Sequence, residues 1–198
     1  MVDNAVPYAA IIVAGGRGSR MGGADKASLR VGGQRLLDRL RSYLPYGTPS
    51  VVVSPHWLGT PQVCETPLYG GPTAGIAAGY RFLTQGPLVK HSRHALVAVV
   101  AVDAPESPLA IPKLIDGLGE HSVAVAATGD QIQPLCAVWH VDALGRALSR
   151  LGRVHNRSAR SLLRAADSIA VVQVGEEVRD YDTPQQLRAY EQRISGAV

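Results

Sequence analysis

Short apolar runs alternate along this chain with segments whose apolar positions recur every three to four residues. That alternation predicts a sheet of parallel strands wrapped by helices. The strands read from the pattern are Tyr8–Val13, Ser50–Ser54, Ala95–Val102, Val123–Ala127, Leu135–His140 and Ile169–Val174. Ala95–Val102 is the most apolar of them and belongs at the centre of the sheet. Gln34–Leu44 carries Leu36, Leu37, Leu40 and Leu44 at helical spacing and is stopped by Pro45. Further helices are predicted from Pro72 to Leu83, over Pro108–Leu118 with Leu109, Ile111, Leu114, Ile115 and Leu118 on its apolar side, and over Val141–Leu151, Ser158–Ala166 and Pro184–Arg193. Gly129–Asp130 reads as a turn between two strands. No repeat, linker or low-complexity stretch interrupts the pattern. The expectation is one α/β domain over residues 1–198, doubly wound around a mostly parallel sheet, with 1–7 and 195–198 as flexible ends. Its ligand should lie outside the carboxyl ends of the strands.

Composition narrows the function classes. A chain of 198 residues can bury a substantial core, and 46% hydrophobic with 18% charged residues is ordinary for a globular protein. The formal charge is +4 and the pI about 9.3. The arginines are scattered and aromatic residues make up only 5%, which argues against nucleic acid and for a small anionic substrate. Cys64 and Cys136 lie far apart with no Cys-x-x-Cys, so neither a zinc site nor a disulfide framework is indicated. Both read as small buried apolar residues in a reducing compartment. The polar first residues and the lack of any apolar run of about 18 residues predict no signal peptide, no membrane span and a cytoplasmic protein. His91, His94 and His155 have no metal-ligand spacing and read as surface residues.

One stretch carries distinctive chemistry. The first apolar strand runs into Ala14-Gly15-Gly16-Arg17-Gly18-Ser19-Arg20-Met21-Gly22-Gly23-Ala24-Asp25-Lys26, with five glycines in nine residues, two arginines and a closing lysine. Glycines let backbone N–H groups approach a ligand closely, and successive N–H groups with nearby cations suit an anion. The Walker pattern is absent, and the spacing Gly16-x-Gly18-x-x-x-Gly22 departs from the dinucleotide fingerprint. A glycine-rich surface turn with solvated arginines is the bland alternative.

Two acidic segments sit where a cation could be held. Asp103 ends the most apolar strand in Val102-Asp103-Ala104-Pro105, where a carboxylate is costly to bury without a cation. It either caps the segment that follows or serves as a Mg²⁺ ligand alongside substrate phosphates. In Asp180-Tyr181-Asp182-Thr183-Pro184-Gln185-Gln186-Leu187, Asp182 or Thr183 could cap the helix opened by Pro184.

The glycine-rich stretch resembles the signature of the nucleotidyltransferases that activate sugars and cofactors. Its Met-Gly-Gly-x-Asp-Lys ending is most similar to the molybdenum cofactor guanylyltransferases of the MobA type. The resemblance implies a Rossmann-like, three-layer αβα sandwich of the nucleotide-diphospho-sugar transferase kind. It implies that Val13, Ala14, Gly15, Gly16, Gly18, Ser19, Arg20 and Lys26 bind the nucleotide, with Arg20, Lys26 and Asp103 catalytic. Val102-Asp103-Ala104-Pro105 and Asp180-Tyr181-Asp182-Thr183-Pro184 resemble that family's strand–Asp-x-Pro and Asn/Asp-x-Asn/Asp-Thr-Pro elements, which implies Asp103 and Asp182 as the metal ligands, with Asp180 as a neighbour of Asp182 and the alternative second ligand.

Gly70-Gly71-Pro72-Thr73-Ala74-Gly75 resembles the Gly-Pro-Leu-Ala-Gly element beside base and ribose, which assigns Gly71, Pro72 and Gly75 to the nucleotide; close helix-to-sheet packing needs such glycines too. Glu65 stands near a nucleotide-contacting acid of the family. Gln133-Pro134-Leu135-Cys136-Ala137 and Asn156-Arg157-Ser158-Ala159-Arg160 resemble the acceptor segments; there Arg157 and Arg160, three apart, are expected on one helix face, to grip a phosphate or simply to be solvated.

The implied reaction moves GMP from GTP, with Mg²⁺, onto the terminal phosphate of molybdopterin-type cofactor and releases pyrophosphate. Molybdoenzymes or other cofactor-biosynthesis proteins are the implied partners. Alternatives are a molybdopterin cytidylyltransferase, a phospholactate guanylyltransferase, a sugar-phosphate nucleotidyltransferase, or a non-catalytic nucleotide-binding protein.

Overall fold

The structure is a computed structural model and describes residues 8–15, 25–85 and 95–196. Nine strands are assigned among these residues: β1 (Tyr8–Val13), β2 (Arg30–Val31), β3 (Gln34–Arg35), β4 (Ser50–Val53), β5 (Gln62–Val63), β6 (Leu96–Ala101), β7 (Val123–Thr128), β8 (Gln131–His140) and β9 (Ile169–Gln173). Seven form the main sheet in the order β5-β4-β1-β6-β8-β7-β9, and β2 with β3 makes a small antiparallel ladder. β4, β1 and β6 run parallel, as do β7 and β9; β8 runs antiparallel to both of its neighbours. Six helices accompany them: α1 (Leu36–Ser42), α2 (Pro72–Gln85), α3 (Ile111–Leu118), α4 (Val141–Leu151), α5 (Ala159–Arg164) and α6 (Pro184–Ser195).

The period of two along each strand divides the core into two layers. Tyr8 and Ile12 of β1 pack with Leu36, Leu37 and Leu40 of α1, Ile111 and Leu114 of α3, and Tyr190 of α6. Ile11 and Val13, pointing the other way, pack with Ile76 of α2, Leu144 and Ala147 of α4, and Leu162 of α5. Every residue of β1 and β6 is buried, because both faces of the sheet are covered. The expected Rossmann-like, three-layer αβα architecture with a mostly parallel sheet is present.

Several boundaries differ from the pattern, each for a local reason. Gln34 and Arg35 pair with Arg30 and Val31 instead of opening α1. Gly32 and Gly33 both have positive φ (57° and 78°), the conformation of a tight primed hairpin turn. β8 begins at Gln131, four residues before the expected start, because the turn at Gly129–Asp130 closes directly into a hairpin. Pro134 falls in the register shift between the pairs Val125–Ala137 and Ala126–Gln133, where a missing N–H costs no ladder bond.

Residues Ser107–Ala110 are a 3-10 turn, so α3 starts only at Ile111 and Leu109 is 52% exposed instead of packed. α5 is capped by the Ser158 side chain and covers only Ala159–Arg164, which leaves Arg157 outside the helix; Arg157 and Arg160 are both exposed and do not share a helix face. Cys136 is buried as expected, whereas Cys64, in the irregular segment after β5, is exposed.

Candidate active site

The strand order sets the location. The chain leaves β1 toward β4 and β5, then returns on the other side of β1 to form β6. In such sheets the crevice opens at the carboxyl ends of the two strands that flank the reversal. Here the Ala14 N–H donates to the Val53 carbonyl (2.9 Å) and the Val102 N–H to the Val13 carbonyl (3.0 Å), so Ala14, Gly15, Val102 and Asp103 emerge side by side. Ala14 is buried behind the crevice and Gly15 lies at its mouth. Gly16, Gly18, Ser19 and Arg20 lie outside the described residues, as do His91 and His94.

The chain is described again from Asp25. Its carboxylate accepts from the Ala27 N–H (3.1 Å) and the Ser28 hydroxyl (2.6 Å), capping the 3-10 turn that begins at Lys26. With Ala27 fully buried, this turn aims the Lys26 side chain across the crevice. The Lys26 ammonium donates to Asp103 Oδ2 at 2.9 Å and also to Asp182 Oδ1. Three residues separated by up to 156 positions thus meet at one point. Burial works against the Lys26 ammonium, but Asp103 and Asp182 more than offset it, and its pKa ends above the ordinary lysine value.

Helix α6 delivers the second carboxylate. Thr183 is its N-cap: the Thr183 hydroxyl accepts from the Gln186 N–H (3.2 Å), and Pro184 opens the first turn. The Gln186 carboxamide oxygen accepts from the Thr183 N–H (2.9 Å), completing a capping box, and also from the Asp182 N–H (2.8 Å). Because Thr183 does the capping, the Asp182 carboxylate is left to face Lys26; Asp180 is exposed. The Tyr181 N–H donates to the Asp103 carbonyl (2.9 Å), which ties the two acidic segments together. Behind them the Glu106 carboxylate pairs with Arg193, and Tyr181 stacks on Tyr190 with ring centroids 4.4 Å apart. Gln186 and Asp25 were not assigned a site role from sequence; the Thr-x-x-Gln spacing of a capping box was the available signal for the first.

At the carboxyl ends of β1 and β4 lies a cavity of about 240 Å³ lined by Val13, Gly15, Glu65, Gly71, Pro72 and Gly75, with Val53 and Tyr69 completing it. Gly71 has φ +85°, and a Cβ there would stand 3.3 Å from the Arg157 carbonyl. At Gly75 a Cβ would lie 3.1 Å from Val53 Cγ1, so a side chain there would press on the cavity wall. Glu65 is 7% exposed and its carboxylate accepts from the Gly70 N–H (3.2 Å).

The loop before α2 is also locked to the segment before α5. The Asn156 N–H donates to the Gly70 carbonyl (2.6 Å), the Thr73 N–H to the Arg157 carbonyl (3.3 Å), and the Thr73 hydroxyl to the Ser158 carbonyl (2.8 Å). His155, expected at the surface, is half-buried against Gly70.

The MobA-like NTP transferase domain matches residues 10–174, the span from β1 through β9. The chain belongs to that family. Among curated relatives, the molybdenum cofactor guanylyltransferase of Sinorhizobium fredii is 30% identical over 94% of this chain and 91% of its own length. That of Pseudomonas putida is 30% identical over 95% of this chain and the whole of its own. The crystal structure of molybdopterin-guanine dinucleotide biosynthesis protein A from Archaeoglobus fulgidus superposes with a TM-score of 0.69 at 19% identity, covering 94% of this chain and 98% of that one, and so shares the fold. The cluster lies at the carboxyl ends of β1 and β6 and the cavity at the carboxyl ends of β1 and β4, the edge of the sheet where open α/β folds take their ligands.

Proposed function

We propose that this protein transfers GMP from GTP to the terminal phosphate of a molybdopterin-type molybdenum cofactor and releases pyrophosphate. The observation that carries the reading is the convergence of Lys26, Asp103 and Asp182 at the carboxyl ends of β1 and β6, with a glycine-lined cavity at the carboxyl ends of β1 and β4. Two full-length relatives named as molybdenum cofactor guanylyltransferases support the choice of guanine and of acceptor.

The donor set fits Mg²⁺. Two carboxylates on different segments aim their oxygens at one cationic centre, and among the described residues there is no larger cluster of His, Cys, Asp or Glu. Mg²⁺ prefers one or two carboxylates completed by substrate phosphates and water over an all-protein cage. Asp103 and Asp182 would hold it, and when bound it would supply positive charge that offsets the phosphate charge.

The rest is positioning by the chain itself. Lys26 supplies positive charge to the triphosphate, with Arg20 and the amides of Gly15, Gly16, Gly18 and Ser19 assigned the same task. The base lies in the cavity against Gly71, Pro72 and Gly75, where the lack of side chains at two positions leaves room for a flat ring. Guanine presents two donors side by side on its Watson–Crick edge, N1–H and N2–H, which suit the buried Glu65 carboxylate. The acceptor phosphate is already an anionic nucleophile, so no general base is required. Its oxygen forms the new bond to the α-phosphorus as the bond to the β-phosphate oxygen breaks and pyrophosphate leaves with the electron pair. Catalysis then rests on alignment and charge neutralisation. The lock between Gly70–Thr73 and Asn156–Ser158 sets donor and acceptor subsites in a fixed relation.

The test is pyrophosphate release with each nucleotide, with and without molybdopterin. The expected result is release from GTP that depends on molybdopterin and is abolished by Asp103→Ala. Equal release from CTP, or release insensitive to Asp103→Ala, would overturn the reading.

A further inference from the structure

The Lys26 ammonium is bonded to the same two carboxylates that the proposed reaction assigns to a divalent ion. We propose, resting on that reading, that Lys26 is an exchangeable counterion. It holds Asp103 and Asp182 until a triphosphate draws it away, and only then are both carboxylates available to the metal.

Two cations cannot share these oxygens at full strength. The ammonium stands 2.9 Å from Asp103 Oδ2 and also bonds Asp182 Oδ1, and Mg²⁺ bonds a carboxylate oxygen at about 2.0–2.1 Å, so an ion held by these two carboxylates would lie within a few ångströms of the ammonium. A divalent ion placed there would stand against an ammonium at contact distance, and like charges so close repel.

The anchoring shows which partner moves. Asp103 is tied through its carbonyl to the Tyr181 N–H, and Asp182 through its N–H to Gln186. Both carboxylates therefore sit on braced backbone. The Lys26 backbone is equally fixed, by the Asp25-capped turn, but its ammonium rides on a flexible four-carbon stem, and the side chain is 21% exposed. Lys26 closes the glycine-rich cationic stretch, so a triphosphate bound by that stretch offers the ammonium new anionic partners. Metal and nucleotide then load together, and free divalent ion alone meets carboxylates that already share a cation.

The test uses Mn²⁺ alone as the probe, with binding measured by electron paramagnetic resonance on the full chain without nucleotide. Lys26→Met should bind Mn²⁺ at least about tenfold more tightly than wild type, equivalent to about 1.4 kcal/mol. Adding Asp103→Asn to Lys26→Met should erase the gain. Lys26→Gln, which removes the charge but keeps a hydrogen-bond donor, is the second variant and should shift affinity in the same direction; melting curves establish that each variant is folded. Metal-only affinity that is unchanged or weaker in the folded Lys26 variants would overturn the exchange. A parallel titration with GTP present separates the two levels. If Asp103→Asn weakens Mn²⁺ binding there while Lys26→Met leaves metal-only binding unchanged, the exchange fails and the metal role stands. If Asp103→Asn has no effect with GTP present, the metal role itself fails and the exchange falls with it.

Discussion

Replacing Gln186 with methionine exchanges its carboxamide for a thioether of similar length and removes the acceptor oxygen. That oxygen accepts from the Asp182 N–H at 2.8 Å, the Thr183 N–H at 2.9 Å and the Thr183 hydroxyl at 3.1 Å. Methionine and glutamine have similar helix propensity, so α6 itself gains or loses little. Loss of a capping interaction costs about 1 kcal/mol, and a second half-buried N–H left to water costs roughly 0.5–1 kcal/mol. The sum, about 1.5–2 kcal/mol, should lower the Tm of a protein this size by about 3–8 °C. Because the same oxygen braces the backbone of Asp182, kcat/KM for GTP should fall by about tenfold or more, since small misplacements at a reacting centre are costly. Gln186→Glu retains the acceptor and adds a negative charge in the first turn of a helix, which is favourable. It should restore both Tm and kcat/KM. The assays are differential scanning calorimetry and pyrophosphate release. A Gln186→Met protein with a Tm within 1 °C of wild type and unchanged kcat/KM would refute the reasoning.

Further expectations concern the core, the thiols, the acid limb of stability and base choice. A Cβ at Gly79 would lie 2.7 Å from Ile11 Cγ2 and 3.3 Å from Val53 Cγ2, so Gly79→Ala gains up to about 1 kcal/mol of helix propensity but loses roughly 1–3 kcal/mol to overpacking; a net fall in Tm should appear in thermal melts. Burial pushes the Cys136 thiol up to about 12, and Cys64 is exposed, so a thiol reagent should titrate Cys64 in the native protein and Cys136 only after unfolding. The bonds from Arg35 hold the Asp38 carboxyl below its ordinary value of 3.8, so its contribution is present above that pH and is lost as pH falls through the lower folded value. Asp38→Asn should therefore cost at most about 0.5 kcal/mol at neutral pH, a deficit that vanishes in acid melts. Glu65→Gln should lower kcat/KM for GTP by about tenfold, because one good base-edge pair is worth about 1–3 kcal/mol.

The central architecture was legible because its strands are buried on both faces. β1 matches its sequence-read bounds and β6 falls within one residue of them at each end, since nothing but apolar residues can occupy such strands. Short elements were not legible. The β2–β3 hairpin offers two residues per strand and β5 only two in all, too few for any period to register. Pro134 hid the first half of β8, because a register shift is a tertiary event with no one-residue signature.

At the site, Lys26, Asp103 and Asp182 were readable from local motif, and their meeting point was not, since 77 and 156 residues separate Lys26 from its partners. Which of Asp180 and Asp182 faces Lys26 also needed the fold: Thr183 takes the cap, Asp182 pairs with Lys26 and Asp180 is exposed. Two of the three bonds that lock Gly70–Thr73 to Asn156–Ser158 join backbone groups, which carry no sequence preference strong enough to read, and the third comes from the Thr73 hydroxyl.

The most direct measurement of the central claim is a double-mutant cycle on kcat/KM for GTP with Lys26→Met, Asp182→Asn and the pair combined. Residues that serve one triphosphate-and-metal site fail together, so the combined variant should be no worse than the more damaged single variant. Losses that multiply as though the two positions were independent would contradict the account.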